Sequence, residues 1–184
     1  MIESRFWRQE LRSELSCLRQ RRAFRRWSEK QQVLFERRLM LVAFQIRTLL
    51  DRPKVSHHAR NAHADGRLYR KIGTHPVTLM NVIDFEDNFD LDNPEAVRLP
   101  VRELCNQLIH HYVFFAVRGE QKRFEVVLVF SDYKRHVCLY EFNVNDILDL
   151  FSGFASEKSA SYNDGGYSIA WDENKQGYVW SSTP

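Results

Sequence analysis

The segment Arg102–Phe114, RELCNQLIHHYVF, carries polar residues at the spacing of one helix face. Arg102, Asn106 and His110 are four residues apart, so a helix places them in line opposite its apolar residues. Histidine is the side chain best suited to proton transfer near neutral pH, and arginine binds phosphate through forked hydrogen bonds. With an amide to position the substrate, these groups can support metal-independent RNA cleavage, in which a 2′-hydroxyl attacks the adjacent phosphate.

A purely structural role for the same residues is equally consistent with their spacing. Asn106 and His110 are separated by one helical turn, where side chains often hydrogen-bond each other or hold a neighbouring loop. A strand begins directly after them in the sequence, and such a junction needs anchoring residues. The spacing alone leaves both the catalytic and the anchoring interpretation open.

The six residues Cys105–His110, CNQLIH, resemble the final-helix motif of HEPN domains. These are small helical-bundle proteins, many of them RNases of toxin–antitoxin, abortive-infection and CRISPR systems. The family motif is an arginine, commonly followed by Asn, Asp or His, with a histidine four to six residues after the arginine. Asn106 and His110 match it, whereas Cys105 stands at the arginine position and Arg102 is the nearest substitute. The resemblance implies an RNase of bacterial or phage defence that needs no cofactor and pairs two such helices in a dimer.

The charges are divided unevenly along the chain. Residues 1–72 contain 18 Lys and Arg against 7 Asp and Glu, a net +11, while residues 73–184 contain 9 against 17, a net −8. This division predicts either a basic surface for RNA or two halves that attract each other. If RNA binds, the densest basic segment, Arg19–Trp27, is the candidate surface, with the arginines Arg19, Arg21, Arg22, Arg25 and Arg26.

Aromatic residues alternate with arginines in this basic half. Phe6, Trp7, Phe24 and Trp27 could stack on bases beside the arginines, or they could belong to the core with arginines extending around them. We predict core positions for Phe6 and Phe24. Trp7 and Trp27 fit either interpretation.

Metal, cofactor and nucleophile sites have little support in the sequence. His57, His58 and His63, with His75 and the His110–His111 pair, show neither HExxH nor paired CxxC spacing, so we predict a polar loop and no metal site. GxSxG and P-loop motifs are absent, so no cofactor is expected. Three cysteines of unrelated spacing and no apolar run long enough for a bilayer predict a soluble cytoplasmic protein with reduced thiols.

The first fifty residues have a helical pattern without glycine or proline. SEKQ, residues Ser28–Gln31, has the form of a capping box, so two antiparallel helices are predicted instead of one rod. The second helix is expected to bury Val33, Leu34, Leu39, Leu41, Val42, Ile46 and Leu49. The polar segment Val55–Arg67 is predicted to be a loop, with or without a frayed helical turn, and Leu68–Leu99 has an irregular pattern that includes an acidic loop over Glu86–Glu95.

The remaining elements follow from clear changes of period. Pro100 is predicted to open a helix to about His111, with a buried stripe of Val101, Leu104, Cys105, Leu108 and Ile109. Three β-rich segments follow, namely residues 112–118, 123–131 and 136–142, separated by short hairpin loops. A short helix capped by Asn145 and a last hairpin around residues 172–177 complete the chain.

These elements predict an α+β fold, with an N-terminal helical bundle followed by a small antiparallel sheet and a short helix. A basic helical part (residues 1–111) and a β-rich part (residues 112–184) are expected to pack as one domain. Two functions remain in competition: RNA binding or cleavage, and a non-catalytic protein-interaction module. In the second, the basic helices bind the acidic half of another copy or of a partner, and a sheet edge offers a pairing surface.

Overall fold

A computed structural model describes residues 4–23, 26, 28–51, 55–156, 167–174 and 176–182. Helices and strands are interspersed along the chain. In order they are α1 (Ser4–Arg22), α2 (Glu29–Asp51), α3 (His57–Arg60), β1 (His63–Arg70), α4 (Phe85–Asn88), β2 (Glu95–Pro100), α5 (Val101–Ile109), β3 (His111–Arg118), β4 (Phe124–Ser131), β5 (Cys138–Asn143), α6 (Val144–Ser156), β6 (Tyr167–Asp172) and β7 (Gly177–Ser182). This order confirms the predicted α+β fold class.

Helices α1 and α2 form an antiparallel pair, as predicted. Ser28 accepts a hydrogen bond from the Gln31 backbone N–H at 3.2 Å, so the capping serine ends the connection and starts α2. The two helices are tied by ion pairing between Arg38 and Glu14 at 2.5 Å. The leucines of α1 that face α2 are fully buried, and so are Phe35, Leu39, Val42 and Ile46 of α2.

The main sheet is five-stranded and antiparallel, with strand order β2-β1-β5-β4-β3. Its two edges are therefore β2 and β3. The hairpins β3–β4 and β4–β5 are joined by short turns, as the sequence pattern predicted. Strand β1 pairs with both β2 and β5, so residues before the hairpins supply two of the five strands.

The two faces of the sheet are covered differently. Helices α1, α2, α5 and α6 pack on one face and form the larger core with Val127, Val129 and Tyr140. The second face carries a smaller cluster, in which the segment 77–91 places Val77, Val82 and Phe89 over Phe130 and Leu139. Helices on one face of an antiparallel sheet define the α+β arrangement.

The prediction of a loop over Val55–Arg67 is wrong for its last five residues, because β1 begins at His63, whereas the short helix α3 is a helical turn of the kind predicted within that segment. Its polar residues and Gly66 resemble a loop in sequence. In the sheet, Gly66 is needed because a Cβ there would lie 2.5 Å from the Glu141 carbonyl oxygen and from the Phe142 ring. From His63 to Leu68, exposed polar residues alternate with buried or partly buried ones. This alternation is typical of a strand and not of a loop.

Several predicted details of the helices also need correction. Helix α6 begins at Val144, and Asn143 rather than Asn145 supplies its cap, accepting a hydrogen bond from the Asn145 N–H at 2.8 Å. Helix α5 ends at Ile109, two residues earlier than predicted, because β3 begins at His111.

Three apolar residues that the sequence assigned to the core are exposed. Phe6, Val33 and Leu41 face solvent, since the core contacts of α1 and α2 are made by neighbouring positions of each helix. Phe24, another predicted core residue, lies outside the described residues. The last predicted hairpin is confirmed as β6 and β7, which form a separate two-stranded sheet.

Candidate functional site

Helix α5 carries Arg102 and Asn106, and His110 is its C-cap residue. Its buried stripe of Val101, Leu104, Cys105 and Leu108 faces the larger core, as predicted. Arg102 and Asn106 are half-buried and His110 is exposed, so all three lie on the wet side of the helix. The helical spacing of these residues therefore predicted correctly that they lie on the solvent-facing side.

Arg102 and Asn106 are joined to α2 by a network of four side chains. Arg47 donates to Asp51 at 3.1 Å, and Asp51 also accepts from Arg102. Arg102 donates further to the Leu50 carbonyl at 3.2 Å, so one guanidinium binds both a side chain and the backbone of the last turn of α2. Asn106 accepts from Arg47, and the network thereby fixes α5 against the end of α2.

The two arginines of this network stabilise the ionised form of Asp51. Partial burial raises the pKa of Asp51, but the hydrogen bonds from Arg102 and Arg47 outweigh it and hold that pKa below its usual value. Asp51 is therefore ionised at neutral pH, and the Arg102 guanidinium already binds a carboxylate. A phosphate at Arg102 would have to displace Asp51.

His110 stands apart from this network. It follows the last residue of α5, and its backbone N–H donates to the Asn106 carbonyl at 3.0 Å. Its imidazole forms no hydrogen bond with another described residue, and nothing in the described part of the chain joins it to Arg102. Two helical turns separate the two residues, roughly 12 Å along the axis. The three residues that the sequence singled out as catalytic candidates are therefore in line but not gathered around one point.

Cys105 occupies the position at which the HEPN motif has arginine. The residue is completely buried in the larger core. Burial raises the pKa of its thiol to about 12, so the group is neutral at physiological pH. This position faces the core and therefore offers no place for a substrate-binding cation.

The neighbouring histidine, His111, makes a structural contact that the sequence did not predict. Its Nε2 lies 3.0 Å from the Glu36 carboxylate, and its Nδ1 lies 2.8 Å from the Leu108 carbonyl oxygen. The ring thus connects the end of α5 and the first residue of β3 to the middle of α2. The His111–Glu36 contact joins two residues that are 75 positions apart, so the local sequence pattern cannot predict it.

Most of the candidate RNA-binding arginines contact other parts of the same chain. Arg19 donates to Asp149 at 2.9 Å and to Ser152 at 2.8 Å, both on α6. Arg22 donates to the Phe124 carbonyl at 2.7 Å, and Arg21 to Gln31 at 3.2 Å. Arg26 is exposed, and Arg25 lies outside the described residues. The Arg19–Asp149 ion pair is a contact of the kind expected if the basic half is attracted to the acidic half of its own chain.

The aromatic and histidine groups have simple surroundings where they are described. Trp7 is partly buried and packs against the larger core, while Trp27 lies outside the described residues. His57 lies within 3.2 Å of the Asn61 amide nitrogen in the short helix α3. Among the described residues, no group of three His, Cys, Asp or Glu is placed to hold a metal ion.

A groove lies between α2 and the edge strand β3. Its volume is about 450 Å³. One wall is the N-terminal half of α2, with Glu29, Gln32, Val33 and Glu36, and the other wall is residues 115–118 of β3. No described strand pairs with the outer edge of β3.

No protein-family model, curated protein or solved structure matches this chain. The HEPN-like resemblance therefore stays a prediction from the residues Cys105–His110. In the described residues, no helix is long and apolar enough to span a membrane. The geometry of the chain's own residues is thus the ground on which a function can be proposed.

Proposed function

We propose that this chain is a non-catalytic protein-interaction module whose edge strand β3 pairs with an extended segment of a partner protein. The observation that carries the proposal is the open edge of β3 beside the α2 groove. An edge strand presents backbone N–H and C=O groups without partners, and an added strand satisfies them. Pockets beside the edge then select the side chains of that strand.

Comparison of the two sheet edges favours β3. The other edge, β2, has only six residues and carries Glu95, Arg98 and a terminal proline, which are features that discourage strand addition. Strand β3 has eight residues, HYVFFAVR, and irregular register only at its two ends. Its regular stretch over residues 113–117 is apolar and lies beside the groove.

The groove walls indicate the side chains of the added segment. Val33 is about half exposed on the α2 wall, so it can receive an apolar side chain. Glu29 forms no ion pair with a described residue, whereas Glu36, about two helical turns further along the same wall, already contacts His111. A segment with an apolar residue and a Lys or Arg on the side facing α2 complements this wall.

Peptide selection tests this function without a known partner. Random peptides displayed on phage are selected against the wild-type protein, and the enriched peptides are measured for binding to Val33→Lys. We expect binding to weaken by about tenfold, because a lysine removes the apolar contact and opposes a basic peptide. The matched control is Val137→Lys, the same substitution at a valine of similar exposure that lies outside the groove.

Two results contradict the proposal. Selection that enriches no peptide for the wild-type protein is one of them. Equal weakening by Val33→Lys and Val137→Lys is the other, since it places the peptide elsewhere or reflects charge alone.

RNA cleavage is the second candidate function, favoured by the exposed imidazole of His110. Purified protein is incubated with total RNA without added metal, beside His110→Ala. We expect the RNA to stay intact with both proteins, because the Arg102 guanidinium is bound to Asp51 and lies about two helical turns from His110. If the wild-type protein degrades RNA and His110→Ala does not, the result would contradict the interaction module and support a nuclease.

A further inference from the structure

The segment that covers the second face of the sheet has an ordered turn. Asn81 accepts a hydrogen bond from the Thr78 N–H at 2.7 Å and donates to the Pro76 carbonyl at 3.1 Å. The buried Asn88 donates to the carbonyls of Asn81 and Asp84 at 2.6 and 2.9 Å. These bonds fix the backbone of the turn and, with it, the direction of its side chains.

This turn directs three large apolar side chains into solvent. Leu79 is 76% exposed, Met80 91% and Ile83 69%, and we call these three residues the apolar loop. An ordered backbone that holds three neighbouring apolar side chains in water is typical of a binding surface. The adjoining acidic residues Asp84, Glu86 and Asp87 are exposed and form no ion pair with a described residue.

A surface of opposite charge lies on α2. Arg37, Leu41 and Phe44 are exposed at helical spacing, and we call them the helix stripe. Phe44 is 54% exposed, and Arg37 forms no ion pair with a described residue. The helix stripe is thus apolar and basic, whereas the apolar loop is bordered by acidic residues.

We propose that the apolar loop of one copy docks on the helix stripe of a second copy. Each surface combines exposed apolar side chains with charges that are not neutralised within the described part of the chain, and the two charges are opposite. Complementary charge sets the orientation of such a contact, and apolar burial stabilises it. The contact is distinct from the β3 groove and goes beyond the function proposed above.

The proposed contact joins two different surfaces, the apolar loop of one copy and the helix stripe of another. Each copy presents one loop and one stripe, so a copy with a defective loop still has a working stripe. Two variants, one defective in each surface, can therefore form one intact contact with each other. Neither of them can form that contact with a copy of itself.

The experiment uses this complementation. Met80→Asp disables the apolar loop and Phe44→Asp disables the helix stripe; both positions are exposed, so the fold should tolerate the change. Mass is measured by light scattering across a concentration series for the wild type, for each variant alone and for their equal mixture. Tyr133→Asp is the matched control, because Tyr133 is as exposed as Met80 and lies outside both surfaces.

The expected result is assembly of the wild type and of Tyr133→Asp with rising concentration. Each of the other two variants stays monomeric alone, and their mixture forms a dimer. A wild type that stays monomeric at the highest soluble concentration overturns the proposal. A mixture that stays monomeric also overturns it, because the contact then does not join the loop to the stripe.

Discussion

Replacing Cys105 with arginine, the residue of the HEPN motif, is expected to lower the free energy of unfolding by about 3–5 kcal/mol. Cys105 is completely buried among the apolar residues of the larger core. A guanidinium there loses its hydration, and the nearby Asp51 carboxylate is already bound by Arg47 and Arg102, whose positive charges also reach the site. Urea unfolding measures the change.

Cys105→Ala is the control for this substitution. It removes a small buried side chain without adding charge, and a loss of about 1 kcal/mol is expected. On a domain of this size the arginine variant should also melt roughly 10 °C below the wild type. If the arginine variant is as stable as the alanine variant, the side chain at position 105 reaches solvent, and this would contradict the buried position of Cys105.

Replacing Gln107 with leucine is expected to cost about 1–3 kcal/mol, although the side-chain volumes are similar. Gln107 is a buried residue of α5 whose Oε1 accepts the Ser131 backbone N–H at 2.9 Å. Its Nε2 donates to Glu103 at 2.7 Å. Leucine leaves the buried Ser131 N–H without an acceptor at the end of β4, and that unpaired donor is the main cost.

Gln121→Leu is the matched control, since Gln121 is exposed in the β3–β4 turn. Its stability should change little. Hydrogen exchange at the Ser131 amide should also be faster in Gln107→Leu than in the wild type. Equal stability of the two leucine variants would show that the Gln107–Ser131 bond does not hold α5 to the sheet.

The helices and hairpins could be predicted where one period dominates a segment. The apolar stripe of α5 has one buried face, and the run of β-branched and aromatic residues in β4 fits a central strand that is covered on both faces, so the sequence pattern reports both elements directly. Strand β1 was missed because Gly66 and its polar neighbours resemble a loop. Its pairing with β2 and β5 joins residues that are far apart in sequence.

The candidate site was predictable only in its placement on α5. Spacing put Arg102 and Asn106 on the wet face, but it could not supply Asp51 and Arg47, which lie more than fifty residues earlier. The open edge of β3 depends on the strand order of the sheet, and that order is a tertiary property. The exposed apolar residues Val33 and Leu41 were assigned to the core because helical period alone does not say which face packs.

The central claim is that an extended segment pairs with the outer edge of β3, and hydrogen exchange of a bound peptide complex tests it most directly. With a selected peptide bound, we expect amides of residues 113–117 and of the facing first half of α2 to exchange more slowly, while the opposite edge strand β2 is unchanged. Slower exchange at β2 or α5, with β3 unaffected, would contradict the claim.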